Sequence, residues 1–147
     1  LKLIAKQFPD LPIMIDHMGI PYGMTQVEVA WAREAGEEIV MPPAPDFGIN
    51  ETIRIFEDVP NVYFKLTEIN MERLVAAGVS AAQVVRRMAD SFGAERLLWG
   101  SDIGQSMLWS YTDKAAMARA AAGLLSDKER ALLLHDNAAR IYTSAAG

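Results

Sequence analysis

A chain of 147 residues is long enough for one domain with a hydrophobic core. Hydrophobic residues at 51% and charged residues at 22% place it among globular proteins, and a net charge of −5 with scattered Lys and Arg argues against phosphate-driven nucleic-acid binding. There is no cysteine, which excludes disulfides and thiolate metal sites, and no apolar run approaches the roughly 20 residues that span a bilayer.

The opening places Leu1, Ile4, Ala5 and Phe8 at helical spacing, so it reads as the end of an amphipathic helix. A chain that begins inside a helix, without an initiator methionine, is expected to be a piece of something longer. The run Pro12-Ile13-Met14-Ile15-Asp16-His17 reads as a first buried strand that stops at a histidine. Thr25-Gln26-Val27-Glu28 is a capping box that opens a helix closed by Gly36, and Pro42-Pro43-Ala44-Pro45 is a stiff connector. Ile49, Ile53 and Phe56 then line one face of a helix over 49–57.

Pro60-Asn61 introduces a second strand, Val62-Tyr63-Phe64-Lys65-Leu66-Thr67. A short helix is expected over 72–77, with Gly78 behind it. Ser80-Ala81-Ala82-Gln83 is a second capping box, opening a helix with Val84, Val85, Met88, Ala89 and Phe92 that Gly93 ends. The third strand is Arg96-Leu97-Leu98-Trp99-Gly100-Ser101, delivering Asp102. An alanine-rich helix near 113–124, a third capping box at Ser126-Asp127-Lys128-Glu129 and a last helix near 137–142 complete the chain.

Strands alternating with helices imply βαβ crossovers and a parallel sheet, hence an α/β fold. Three parallel strands do not close a barrel, and a TIM barrel needs eight strands and about 250 residues. Either the chain is part of such a barrel or it is a small open sheet, and the helical start favours the first.

Two buried strands that each stop at a chemically capable residue point to a site on the carboxyl ends of the sheet. His17 would share a face with Ile13 and Ile15, and could serve as acid, base, electrophile or ligand. The alternative is a strand-end histidine bonded to a backbone carbonyl. Asp102 would share a face with Leu98 and Gly100; a carboxylate there must be paired, hydrogen-bonded or metal-bound, or else caps the next helix. The missing side chain of Gly100 would leave room for a ligand.

Lys65 and Thr67 lie opposite Phe64 and Leu66. Lys65 could neutralise a substrate carboxylate or stabilise an oxyanion, or it could form a salt bridge to Asp16 or Glu68. Asp16, by alternation, should face the helix layer. His135 at a helix end suits terminal carbonyls, and Ser101 and Ser106 lack the context of a nucleophile. No phosphate loop, dinucleotide fingerprint or H-E-x-x-H is present.

Four segments together resemble the C-terminal part of the amidohydrolase-related family, which includes aminocarboxymuconate-semialdehyde decarboxylase and the pyrone-dicarboxylate lactonases. They are Pro9-Asp10-Leu11-Pro12-Ile13-Met14-Ile15-Asp16-His17-Met18-Gly19, Asn61-Val62-Tyr63-Phe64-Lys65-Leu66-Thr67, Gly93-Ala94-Glu95-Arg96-Leu97-Leu98-Trp99-Gly100-Ser101-Asp102 and Asn137-Ala138-Ala139-Arg140-Ile141-Tyr142. The resemblance implies a distorted (β/α)8 TIM barrel, with residues 1–147 supplying about three βα units, strands six to eight, and the N-terminal half lying elsewhere.

By the same resemblance, His17 and Asp102 are expected to be catalytic and Asp102 also a metal ligand; Lys65 falls in the family's strand-seven segment, where its role is not uniform, and it is expected to bind substrate on the strength of its charge alone. The family's H-x-H pair and its strand-five histidine have no counterpart, and Ile103-Gly104-Gln105-Ser106 departs from the usual sequence after the aspartate. The implied cofactor is a divalent metal, zinc foremost, in the intact protein, with the option that this chain alone holds none. The implied reaction is metal-assisted hydrolysis of a lactone or amide-like bond in a small carboxylated compound. The alternatives are non-oxidative decarboxylation of an aromatic or unsaturated acid, and an inert fragment or interaction module. The isolated chain is expected to be inactive. The expected setting is cytoplasmic, with no nucleic-acid or membrane partner and a homo-oligomer left open.

Overall fold

A computed structural model describes residues 1–19, 33–36, 44–76, 78–104 and 109–144. Helix α1 (Lys2–Gln7) leads into strand β1 (Ile13–Ile15) and a tight 3-10 turn (Asp16–Gly19). Helix α2 (Asn50–Phe56), strand β2 (Val62–Thr67), helices α3 (Glu68–Ala76) and α4 (Ala81–Phe92), and strand β3 (Leu97–Gly100) follow. The chain then runs through α5 (Tyr111–Ala121), α6 (Asp127–Ala131), a π-helical turn (Leu132–Asp136) and α7 (Asn137–Ser144).

The three strands form one parallel sheet in the order β1-β2-β3. Ile13 pairs with Val62 and Ile15 with Phe64; Phe64 in turn pairs with Leu97 and Thr67 with Gly100. The expected α/β alternation is therefore present. β2 is the central strand, and its pleat explains its burial: Val62, Phe64 and Leu66 are fully buried, while Tyr63 and Lys65 on the other face are partly open.

The buried cluster joins Phe64 and Leu66 to Val84, Val85 and Met88 of α4. Phe64 stacks on Phe92 at 4.4 Å, and Phe56 meets its edge at 6.1 Å. Burying a ring of this size stabilises by about 2–3 kcal/mol. Arg96 covers the pair, 4.7 Å above Phe92, and donates to the carbonyls of Val62 and Phe56. Burial pushes its guanidinium below the ordinary value.

Caps set several helix starts. Ser80 accepts from the Gln83 amide, and Ser126 with Glu129 forms a complete capping box. Ser80 makes only its half of the expected box, whereas a second complete box that the sequence reading did not single out, Ser110 with Asp113, starts α5 two residues earlier than the alanine-rich stretch suggested.

Other expectations are corrected. β1 stops at Ile15, because His17 (φ 55°) and Met18 (φ 54°) adopt left-handed conformations that end the extended chain. α3 begins at Glu68, directly after β2, instead of near residue 72. In α1 only Ala5 is buried; Leu1, Ile4 and Phe8 are 58%, 50% and 51% exposed. His135 is not at a helix end, since the chain continues helically into α7; its Nδ1 lies 2.9 Å from Asp136 on the surface. The capping box at residues 25–28 and the first two prolines of the connector lie outside the described residues. Among the described residues, no helix is long and apolar enough to cross a membrane.

Candidate active site

The carboxyl ends of the three parallel strands converge on one small group of side chains. β1 supplies the turn Asp16–Gly19, β2 supplies Lys65 and Thr67, and β3 supplies Gly100 and, two residues on, Asp102. His17 and Asp102 meet here, with His17 Nδ1 and Asp102 Oδ2 4.0 Å apart. Their side chains are 32% and 18% exposed, so both are reachable from solvent yet largely enclosed.

Both residues are held in unusual backbone. His17 has φ 55° and Asp102 φ 49°. A left-handed conformation costs a non-glycine residue about 1–2 kcal/mol, so the surroundings must impose it. For His17 the constraints are visible. Met18 is fully buried, the Asn70 amide donates to the His17 carbonyl at 2.8 Å, and the Thr52 hydroxyl donates to the Gly19 carbonyl at 2.7 Å. The ring is held too, its Nδ1 2.8 Å from Thr67 Oγ1. Thr67 and Asn70 are 0% and 2% exposed, so water does not compete for these contacts.

Asp102 Oδ2 is buried and has no hydrogen-bond partner among the described residues. A desolvated carboxylate oxygen without a donor is costly.

Lys65 Nζ pairs with Asp16 at 2.7 Å, the first of the two salt bridges the sequence left open. Asp16 therefore faces the site and not the helix layer, because the left-handed turn that ends β1 breaks the alternation. Gly100 does not leave a void for a ligand. A Cβ there would stand 2.8 Å from Lys65 Cδ, so the glycine makes room for the lysine stem. Glu68, next after Thr67, forms a buried ion pair with Lys114 of α5 at 3.2 Å; both are essentially inaccessible, at 0% and 1%. The pair ties the end of β2 to α5.

Sequence reasoning missed Asn70 and gave Thr67 no role. The available signal was their spacing of three, at which a helix-start side chain can reach back to the residue ending the strand. Ser106 lies outside the described residues. Among the described residues, no three His, Cys, Asp or Glu side chains gather as a metal cluster.

The sequence model of the amidohydrolase family matches residues 1–143. No curated protein matches the chain at a significant level. Among solved structures, an amidohydrolase from Burkholderia multivorans with bound HEPES superposes with a TM-score of 0.64 at 21% identity, over 97% of this chain and 48% of that one. Another structure described in the same terms, with bound Zn, gives 0.60 at 22% identity over 97% and 47%. A Pseudomonas putida protein assigned as a 2-pyrone-4,6-dicarboxylic acid hydrolase gives 0.61 at 20% identity over 97% and 48%. The chain thus spans about half the length of these structures. At such identities the likeness speaks to fold. The architecture is α/β, about three βα units from the C-terminal part of a TIM barrel of this type.

Proposed function

This chain belongs to the amidohydrolase family, matched over residues 1–143, and we propose that the protein carrying it hydrolyses a lactone or amide-like bond in a small carboxylated compound. The observation that supports this most is the meeting of His17 with the buried Oδ2 of Asp102, which has no hydrogen-bond partner among the described residues, at the strand ends. The P. putida neighbour is named for a substrate of this kind, a cyclic ester with two carboxylates. On this reading residues 1–147 are a partial barrel domain. The remaining residues of the site belong to the half of the barrel that they do not span, and the chain alone is inactive.

The chemistry assigned to the side chains is simple. Asp102 accepts the proton of the attacking water as the water oxygen bonds to the carbonyl carbon. His17 stabilises the negative charge that develops on the carbonyl oxygen. When the bond to the leaving oxygen or nitrogen breaks, Asp102 returns its proton to the leaving group. Lys65, steadied by Asp16, binds a carboxylate of the substrate with its remaining N–H donors.

The donors present suit a divalent metal in kind, a carboxylate oxygen beside an imidazole, and Asp102 is the residue of this chain that would hold one. Such an ion, zinc in one of the B. multivorans structures, polarises a carbonyl or acidifies water when bound. The partner is a small molecule. A net charge of −5 suits neither nucleic acid nor an anionic membrane surface.

The test uses the full-length protein. Asp102→Asn and His17→Ala should each reduce turnover by about 10²–10⁴-fold with folding intact. Wild-type turnover in both variants would overturn the proposal.

A further inference from the structure

Four hydrogen bonds around His17 have only one consistent assignment of protons. The Thr67 backbone N–H can only donate, and it meets Asn70 at 3.2 Å, so the atom facing it is the oxygen Oδ1. The His17 carbonyl can only accept, and it meets the other arm of the same amide at 2.8 Å, so that atom is Nδ2. The orientation of Asn70 is therefore fixed by two neighbours of opposite sign.

Thr67 Oγ1 also lies 3.1 Å from Asn70 Oδ1. That oxygen has no hydrogen to give, so the hydroxyl must spend its single proton there. What Thr67 turns towards His17 is then a lone pair. The ring nitrogen 2.8 Å away, Nδ1, must carry a hydrogen to complete the bond. Thr67 and Asn70 are buried, so no water is at hand to offer another proton arrangement.

We propose that Thr67 and Asn70 are positioning residues that lock His17 as its Nδ1–H tautomer and leave Nε2 as the nitrogen that meets the substrate. The neutral ring then offers Nε2 only as an acceptor. A second proton makes Nε2 a donor without disturbing the bond to Thr67. The charge-stabilising part given to His17 above needs that second proton, since a neutral ring held this way has no hydrogen to direct at an oxyanion. The proposal rests on His17 being a site residue only for its catalytic consequence; the tautomer itself follows from the contacts.

The two can be tested apart. Nitrogen-15 NMR of the intact, 15N-histidine-labelled protein reads the tautomer directly, without a substrate. It would be recorded about two units above the ordinary imidazole value of about 6.5, with the His17 signals identified by their loss in His17→Gln. The wild type should show a protonated Nδ1 and a bare Nε2. Thr67→Val removes the acceptor and should shift the proton towards Nε2. Asn70→Leu frees the Thr67 hydroxyl to donate to Nδ1 and should do the same. Thr67→Ser keeps the hydroxyl and should keep the wild-type tautomer.

In turnover, Thr67→Val should lower kcat about 10–100-fold with little change in KM, and Thr67→Ser should restore it. A wild-type ring protonated on Nε2 would overturn the proposal, as would an unchanged tautomer in both Thr67→Val and Asn70→Leu. The expected tautomers together with full turnover in His17→Ala would support the clamp and remove the catalytic reading of His17.

Discussion

Lys65 lies across Gly100, its Cδ only 2.8 Å from where a Cβ on that glycine would stand, with Cγ and Cε at 3.2 and 3.3 Å. The contacts fall along the middle of the lysine stem, so the side chain cannot yield at its tip alone. Gly100→Ala should displace Lys65 from Asp16 and cost about 1–3 kcal/mol of stability, the range for an added methyl in a filled space. Urea unfolding of the single and double variants checks this. In a Lys65→Ala background the alanine at 100 should cost almost nothing, and equal costs in both backgrounds would remove the explanation.

The left-handed backbone of Asp102 makes a second expectation, since its φ is 49°. At an ordinary position glycine is less stable than alanine by roughly 0.5–1 kcal/mol. At 102 the order should reverse, with Asp102→Gly more stable than Asp102→Ala by about 1 kcal/mol, because alanine carries the left-handed penalty. Both variants should lose turnover. Denaturant midpoints of the two proteins decide the matter, and an alanine variant equal to or above the glycine one would contradict the strained conformation.

The strands β2 and β1 show what the sequence could and could not convey. β2 was legible to the residue, because a β-branched and aromatic run bounded by Pro60-Asn61 has few other ways to bury Phe64 and Leu66. The end of β1 was not. Nothing local in Asp16-His17-Met18 demands left-handed backbone. It is imposed by the burial of Met18 and by Asn70 and Thr52, partners 53 and 33 residues away in sequence. His17 consequently reaches the site by a turn and not by strand alternation, and Asp16 turns with it.

The meeting of His17 with Asp102 followed from parallel topology, which brings strand ends to one rim whatever their last dihedrals. The choice of Asp16 as partner for Lys65, and the part taken by Asn70, needed tertiary contacts. An asparagine in the first turn of a helix reads equally well as solvated.

Two asparagines hold the opposite ends of the strands. Asn137, fully buried, donates through Nδ2 to the carbonyls of Ala94 and Leu97 at 2.7 and 2.8 Å, fixing the entry to β3. Asn61 donates to the carbonyls of Ala5, Phe8 and Leu11 at 2.9–3.1 Å, fixing the entry to β1. Asn137→Ala leaves two buried acceptors without a donor and should cost about 2–4 kcal/mol. Asn137→Asp should cost at least as much at neutral pH, since it points a negative charge at two carbonyls of like partial charge. Equilibrium unfolding measures both, and an aspartate variant within about 0.5 kcal/mol of wild type would show that the donor is dispensable.

The Arg86–Glu129 pair joins α4 to α6 and gives stability a defined acid limit. The guanidinium meets both carboxylate oxygens at 2.9 Å. That contact, reinforced by the backbone N–H and hydroxyl of Ser126, lowers the Glu129 carboxyl from 4.5 to about 2. A carboxylate whose pKa is depressed by folding binds its proton more weakly in the folded state. Its stabilisation is complete above the unfolded value and disappears as pH falls through the folded one. Wild type should therefore melt above Glu129→Gln by a constant margin from neutral pH down to about 5, and the margin should shrink between 4.5 and about 2. The glutamine oxygen can still accept from Ser126, while its NH2 faces Arg86 Nη2 and cannot accept, so the comparison removes the charge together with one hydrogen bond to Arg86. Thermal midpoints of the two proteins across that range test the link, and a margin that stays constant as pH falls through this window would detach Glu129 from the acid response.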